Sequence, residues 1–224
     1  MARECECYLQ EVMRRKLKFA NIPELFKDLE LSKFDVMVYK QVESRQIVRT
    51  ACKIIKTYLD NFTTMQERGM GLYIYSKTRG SGKTYISAMI ANELMKKHQV
   101  KFAGSTVILN EIRTTYEKNK DKEYTENQLL DALVTTEILI IDDFGTERVT
   151  DWVNDKFYHI INQRYLKKKV TLYTSNDSIR TLDYDSRITS RIMERVYEVK
   201  FAEESVREHI AENNEKEIIE MIQR

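Results

Sequence analysis

Proline is nearly missing from this chain, with one in 224 residues, and there are only six glycines. That excludes a loop-rich or linker-rich architecture, because these two residues are the main breakers of regular elements. Long hydrophobic runs are missing too: no apolar stretch could span a membrane, and no secretory apolar segment follows the start. The three cysteines are odd in number and come without an export signal, so reduced thiols in a cytosol are expected rather than a disulfide framework. An excess of one charge is also lacking. Thirty-seven Lys and Arg against 35 Asp and Glu leave a net charge of +2, so any anionic partner must be met by a local surface. The remainder, 42% hydrophobic and 32% charged, suffices for one α/β domain with a short appendage.

The chain is organised around residues 71–84. A β-prone run, Leu72 to Tyr75, enters a loop that ends in Gly82-Lys83-Thr84, and a helical pattern runs from Tyr85 to Lys97. Strand, loop, Gly-Lys-Thr and helix form the phosphate-binding arrangement of P-loop proteins. Gly80 and Gly82 allow the backbone to approach a polyphosphate with its N–H groups turned inward. The new helix adds the positive end of its dipole. Lys83 reaches the terminal phosphates, and the Thr84 hydroxyl suits Mg2+. Gly80, Ser81, Gly82, Lys83, Thr84 and Tyr85 are therefore the candidate nucleotide-binding residues. One position departs from the pattern: Lys77 stands where its first glycine belongs, and is expected to constrain the turn or weaken nucleotide affinity.

A second motif is Ile138-Leu-Ile-Ile-Asp142-Asp143-Phe-Gly145. Four aliphatic residues read as a strand buried on both faces of a parallel sheet. Two carboxylates follow at its C-terminal end, where open α/β sheets build their sites. Asp142 is placed to hold Mg2+ through water, and Asp143 to orient or deprotonate an attacking water. Val170 to Tyr173 is a further strand, followed by Thr174-Ser175-Asn176. Asn176 is suited to bond that water or a γ-phosphate, although Ser-Asn-Asp is also an ordinary turn. Arg187, Arg191 and Arg195 are four apart and share one helix face, which calls for an anion or acidic partner or is simply a solvated basic face.

The rest of the chain is blander. Cys5-x-Cys7 reads as two free thiols, or as half of a zinc site completed upstream or on another chain. Residues 21–35 form an irregular connector with apolar anchors Ile22, Phe26, Leu31 and Phe34. Residues 44–62 have helical spacing, with Ile47, Val48, Ala51, Ile54, Ile55, Tyr58, Leu59 and Phe62 on one face. Residues 100–104 are a short strand, and Ser105 or Thr106 is expected to cap a helix with Ile108, Leu109, Ile112 and Tyr116 inward. Residues 117–127 are polar, with Lys118, Lys120 and Lys122 in a solvated turn or helix end. Thr150 to Tyr165 is a helix that starts near Trp152, Val196 to Phe201 the last strand, and a polar helix opens at Ser205.

Taken together, Gly80-Ser-Gly-Lys-Thr84, Ile140-Ile-Asp-Asp-Phe-Gly145, Arg164-Tyr165, Thr174-Ser-Asn176 and Arg187 to Arg195 resemble the AAA+ ATPases of the DnaC/DnaI type, bacterial and phage helicase loaders, over about residues 20 to 208. The motifs are also similar to IstB-like transposition ATPases. The resemblance implies an α/β fold: a central five-stranded parallel sheet flanked by helices, with a short helical N-terminal extension. The implied layout is an extension and connector over 1–43, an ATPase core over 44–204 and a C-terminal helix over 205–224. A separate helicase-binding domain is expected to be absent or reduced to a stub. ATP and Mg2+ are the implied cofactors, with Thr84 and Asp142 at the metal. Lys83, Asp142, Asp143, Asn176, Arg195, Arg191 and Arg207 are the implied catalytic set. Within it, Asn176 resembles sensor 1, Arg195 (with Arg191 as second choice) a finger reaching a neighbouring subunit, and Arg207 sensor 2. The implied partners are a replicative DNA helicase, single-stranded DNA contacted by roughly residues 105–130, and a second copy joined through the ATP site; no membrane is involved. The expected setting is the cytoplasm of a bacterial cell, from a chromosomal or phage gene. Two rival readings are a transposase helper acting on duplex DNA and a nucleotide-gated adaptor with little ATPase activity.

Overall fold

A computed structural model describes residues 21–116 and 124–222. Cys5, Cys7, the N-terminal extension up to residue 20, and Lys118, Lys120 and Lys122 lie outside the described residues. Among those described, five strands form one parallel sheet in the order β2-β3-β4-β1-β5. They are β1 (Gly71–Tyr75), β2 (Val100–Gly104), β3 (Ile138–Asp142), β4 (Val170–Ser175) and β5 (Val196–Lys200). β3 and β4 are buried along their whole length, as a strand covered by helices on both faces must be. Alternate residues serve opposite cores. Ile138 and Ile140 face one with Leu72, Ile74 and Leu172. Leu139 and Ile141 face the other with Tyr73 and Tyr173.

The first core is closed by α1 (Val42–Asp60) and α3 (Lys83–Met95). α1 buries Ser44, Val48, Ala51, Ile55 and Tyr58, a three-or-four spacing that makes one helical stripe. The expected single helix to residue 62 breaks at Asn61, and Phe62 begins the short α2 (Phe62–Arg68), which stops at left-handed Gly69. Ile54 is exposed. The second core is covered by α4 (Ser105–Thr114), α5 (Glu126–Thr135), α6 (Asp151–Leu166) and α7 (Ser186–Glu194). A last helix, α8 (Val206–Ile222), follows β5.

Three sequence expectations fail here. Helix α5 was not anticipated; Thr125 and Gln128 form a full capping box at its start. Neither Ser105 nor Thr106 caps α4. The cap position is Gly104, without a side-chain bond, and Ser105 is the first helical residue, its hydroxyl turned to Asp143 O at 3.0 Å. Tyr116 is 51% exposed rather than inward, because α4 ends before it, and it packs edge-on to Trp152. Trp152 itself is half-buried, with the Arg113 guanidinium over its ring.

The connector packs on the molecule through three short 3-10 turns, Glu24–Phe26, Leu31–Lys33 and Val36–Val38. Ile22 and Tyr39 are buried, and Phe26 and Phe34 pack against Tyr85. Buried Glu204, just past β5, accepts from Lys40 N at 2.6 Å and Gln41 N at 3.2 Å, tying the connector to the end of the sheet.

Candidate nucleotide-binding site

The loop after β1 turns through Gly80 (φ 76°) and Gly82 (φ 99°), in the left-handed region that suits glycine. Space is short as well: a Cβ on Gly82 would lie 2.9 Å from the Tyr39 hydroxyl, and one on Gly80 would meet Ser205 Oγ at 2.8 Å and Arg207 Cβ at 3.2 Å. Tyr39 donates to Ser81 O at 2.7 Å. Arg207 therefore lies against the loop, as its position at the start of α8 dictates.

Lys83 is buried at the N-terminus of α3 and turns its ammonium inward, donating to Ser76 O (3.1 Å), Thr78 O (3.0 Å) and Ser81 Oγ (3.4 Å). Burial pulls its pKa down, while Asp143, Glu203 and Asp142 pull it up. Thr84 Oγ1 donates to Asp142 Oδ2 at 3.0 Å, and Thr174 Oγ1 donates to Asp142 Oδ1 at 2.6 Å. Asp142 is only 8% exposed, and burial pushes its carboxyl up to about 6. Asp143 follows with an exposed side chain and φ 52°, a conformation rare outside glycine; Thr174 Oγ1 accepts from its N–H at 2.9 Å.

These groups open onto a cavity of about 960 Å³, lined by Gly80 to Tyr85, Asp143, Asn176 and Arg207, with Phe26, Phe34 and Tyr39 of the connector as an aromatic wall. The size and mixed lining suit a nucleotide. A hydroxyl beside a buried carboxylate, with open space in front, also suits Mg2+, which takes one or two protein oxygens and fills its shell with phosphates and water. Among the described residues no group of three or more His, Cys, Asp or Glu side chains could hold a metal alone.

Lys77 is exposed and carries no strain, since among the described residues only Asp143 and Lys168 take positive φ outside glycine. Its N–H and that of Thr78 donate to Glu203, at 3.2 and 3.0 Å. The backbone at Lys77 therefore does not require a glycine.

The fold gathers Gly80, Ser81, Gly82, Lys83, Thr84, Tyr85, Asp142, Asp143, Asn176 and Arg207, and leaves Arg191 and Arg195 elsewhere. Gly71 N donates to Arg195 O at 2.7 Å, which puts Arg195 at the N-terminal end of β1, with the loop at the other. Five residues of strand separate them, roughly 17 Å at about 3.3 Å each. The three arginines do not stack on one another. Arg187 and Arg191 lie over the Tyr158 ring at 4.8 and 5.1 Å, and Arg195 lies over Tyr165 at 4.7 Å. Arg195 Nη1 donates to Arg68 O at 3.0 Å, and its Nε is buried without a partner. Sequence reasoning missed Tyr39, Glu203 and the double role of Thr174; only Thr174 lay inside a motif already singled out.

A parallel five-stranded sheet in this order, with Lys83 and Thr84 past the C-terminal end of β1 and Asp142 at that of β3, on either side of β4, defines a P-loop nucleotide-binding protein of the AAA+ fold. Residues 6–211 match the family model described as IstB-like ATP binding protein, and the chain belongs to that family. It is homologous to helicase loaders. Over 112 residues it is 35% identical to the replicative helicase loader DnaI of Bacillus subtilis (strain 168), covering 50% of this chain and 34% of that one. Over 207 residues it is 25% identical to the phage-like element PBSX protein XkdC of the same strain, covering 87% and 70%. The chain thus spans about a third of DnaI. The crystal structure of the DnaC helicase loader superposes with a TM-score of 0.64 at 23% identity, covering 80% of this chain and 99% of that one. The replication initiator DnaA bound to AMPPCP and single-stranded DNA gives 0.63 at 20%, covering 88% and 56%. At these identities the two superpositions carry the fold alone. No helix among the described residues is long and apolar enough to cross a membrane.

Proposed function

We propose that the protein is a loader-type ATPase that binds Mg·ATP in the described cavity and hydrolyses it efficiently only when a second copy supplies Arg195. The observation that carries this reading is the separation of Arg195 from its own phosphate loop by the length of β1, while every other polar group the reaction needs is gathered at the loop. Lys83 exchanges its three loop acceptors for phosphate oxygens, a short movement for a buried ammonium. Thr84 and Asp142 are the residues that would hold Mg2+, which neutralises charge on the phosphates. Asp143 takes a proton from the attacking water, and Asn176 and Arg207 bond the water or the γ-phosphate. Arg195 of a neighbour then meets the charge that develops on the transferred group. Kinship with DnaI and DnaC supports a replicative helicase as partner. Residues 105–130 are assigned to single-stranded DNA.

The test is ATP turnover against protein concentration, with and without single-stranded DNA. Turnover per molecule should rise with concentration and with DNA. Arg195→Ala and Lys83→Ala should each be inactive, and a mixture of the two should regain activity, since one supplies the arginine and the other the bound ATP. Unchanged turnover in Arg195→Ala sinks the proposal. The family match favours one rival, a transposase helper; tighter binding to duplex than to single strands would select it. The other rival, a nucleotide-gated adaptor, leaned on Lys77; no measurable turnover in wild type with partner binding retained in Lys83→Ala would select it.

A further inference from the structure

Glu147 belongs to no motif, yet three elements meet at its carboxylate. Oε1 accepts from Gly145 N at 3.1 Å and from the Tyr184 hydroxyl. Oε2 accepts from Ser105 Oγ. Gly145 lies in the turn that holds Asp143 in its positive-φ conformation; Ser105 is the first residue of α4; Tyr184 directly precedes Asp185, the N-cap of α7. The contacts reach Asp143 itself. Ser105 Oγ also lies 3.0 Å from Asp143 O, which Thr146 Oγ1 bonds at 2.8 Å. The Tyr184 ring stacks on Phe144, 4.6 Å apart and 2° from parallel. Ser105 has one hydroxyl proton for two acceptors, so its rotor has two settings, toward Glu147 or toward the Asp143 carbonyl. A carboxylate held this way fixes a strained turn from outside, as a residue at sparsely populated φ requires.

We propose that Glu147 is a positioning residue: it holds Asp143 in its productive orientation and links that orientation to α4 and to the segment leading into the arginine-bearing α7. The inference rests on the assignment of Asp143 as the base. It gives the ATP site a mechanical connection to two elements to which the proposed function assigns intermolecular surfaces. Movement of α4 on DNA, or of α7 on a second copy, reaches Asp143 through one carboxylate.

The test measures kcat, KM and the Kd of a non-hydrolysable ATP analogue for wild type, Asp143→Asn, Glu147→Ala, Glu147→Gln and Tyr184→Phe. Asp143→Asn should lower kcat about 100-fold or more, as loss of a general base does. Glu147→Ala should lower kcat about tenfold or more with the analogue Kd within about twofold, because the base is misaligned while the phosphate loop is untouched. Glu147→Gln, which keeps shape and one acceptor oxygen, should recover part of the loss. Should Glu147→Ala fail to fold, Tyr184→Phe carries the test, with kcat expected down about threefold and Kd unchanged. Lost turnover in Asp143→Asn beside wild-type kcat in Glu147→Ala overturns the inference alone. An analogue Kd that weakens in step with kcat also overturns it. Retained turnover in Asp143→Asn overturns the catalytic assignment, and the inference with it.

Discussion

Arg164 offers a sharp test of how the sheet is held. It is 1% exposed, and its guanidinium donates to Leu133 O (2.8 Å), Thr136 O (2.8 Å), Val170 O (2.5 Å) and Thr171 Oγ1 (2.9 Å). Leu133 and Thr136 lie at the end of α5, where carbonyls have no partner within the helix. Burial pulls the arginine pKa down, yet the group remains charged at neutral pH. Arg164→Ala strands four buried acceptors. At about 1 kcal/mol each, the low end of the range because water enters the vacated space, the loss is about 4 kcal/mol. For a chain of this size that corresponds to a fall in Tm of roughly 8–16 °C. Arg164→Met restores volume without donors and should regain little of it. Urea unfolding followed through the single tryptophan, Trp152, gives the free energy, and a constant m-value shows that the unfolded state is unaltered. Wild-type stability in Arg164→Met would refute the reasoning, because it would mean that the four acceptors need no donor.

Four further outcomes follow from single sites. Asp142 has its folded pKa raised to about 6, so between the ordinary aspartate range near 3.8 and about 6 the folded state holds more protons than the unfolded one. Nucleotide-free protein should therefore lose stability as pH rises across that window, while Mg·ATP affinity, which needs the carboxylate, should rise through pH about 6; thermal unfolding and titrations from pH 4 to 7.5 check both signs. Lys77→Gly should leave nucleotide Kd within about twofold and cost about 0.5–1 kcal/mol of stability, as added backbone freedom does; a tenfold gain in affinity would show that Lys77 hinders binding after all. Gly71→Ala places a Cβ 1.8 Å from Thr171 O, so β1 and β4 must separate; insoluble protein, or a Tm lower by about 10 °C or more, is expected, and near-wild-type melting would contradict that close approach. Tyr39→Phe removes the 2.7 Å bond to Ser81 O and should weaken nucleotide binding about two- to tenfold, read by titration with a fluorescent analogue.

The loop at residues 80–84 and the Asp142-Asp143 pair were legible because each joins a buried β run to residues whose chemistry is tied to a turn. Helix α5 was not read, although Thr125 and Gln128 carry its capping signature, because the polar stretch before it obscured the change of pattern. Tyr39 gave no signal at all: its place over Gly82 arises only when the connector packs across the loop. The arginine face was legible in the spacing of α7, but its partners were not. Tyr158 and Tyr165 are two helical turns apart on α6, and only packing of α6 on α7 puts their rings under the guanidiniums and relieves the repulsion that the spacing implied.

That packing also bears on assembly. A strand has two ends, and β1 has its phosphate loop at one and Arg195 at the other. A head-to-tail contact that puts Arg195 of one copy at the loop of the next leaves a free loop at one end and a free arginine at the other. Such an interface adds copies until a ring closes or a filament runs on. Under the proposed function, turnover should therefore climb with protein concentration well beyond the point where pairs form, because in a pair only one of the two sites is complete. Turnover that saturates at the dimer, measured alongside light scattering, would instead require a two-fold contact in which each Arg195 meets the other copy's loop, and would rule out the head-to-tail arrangement.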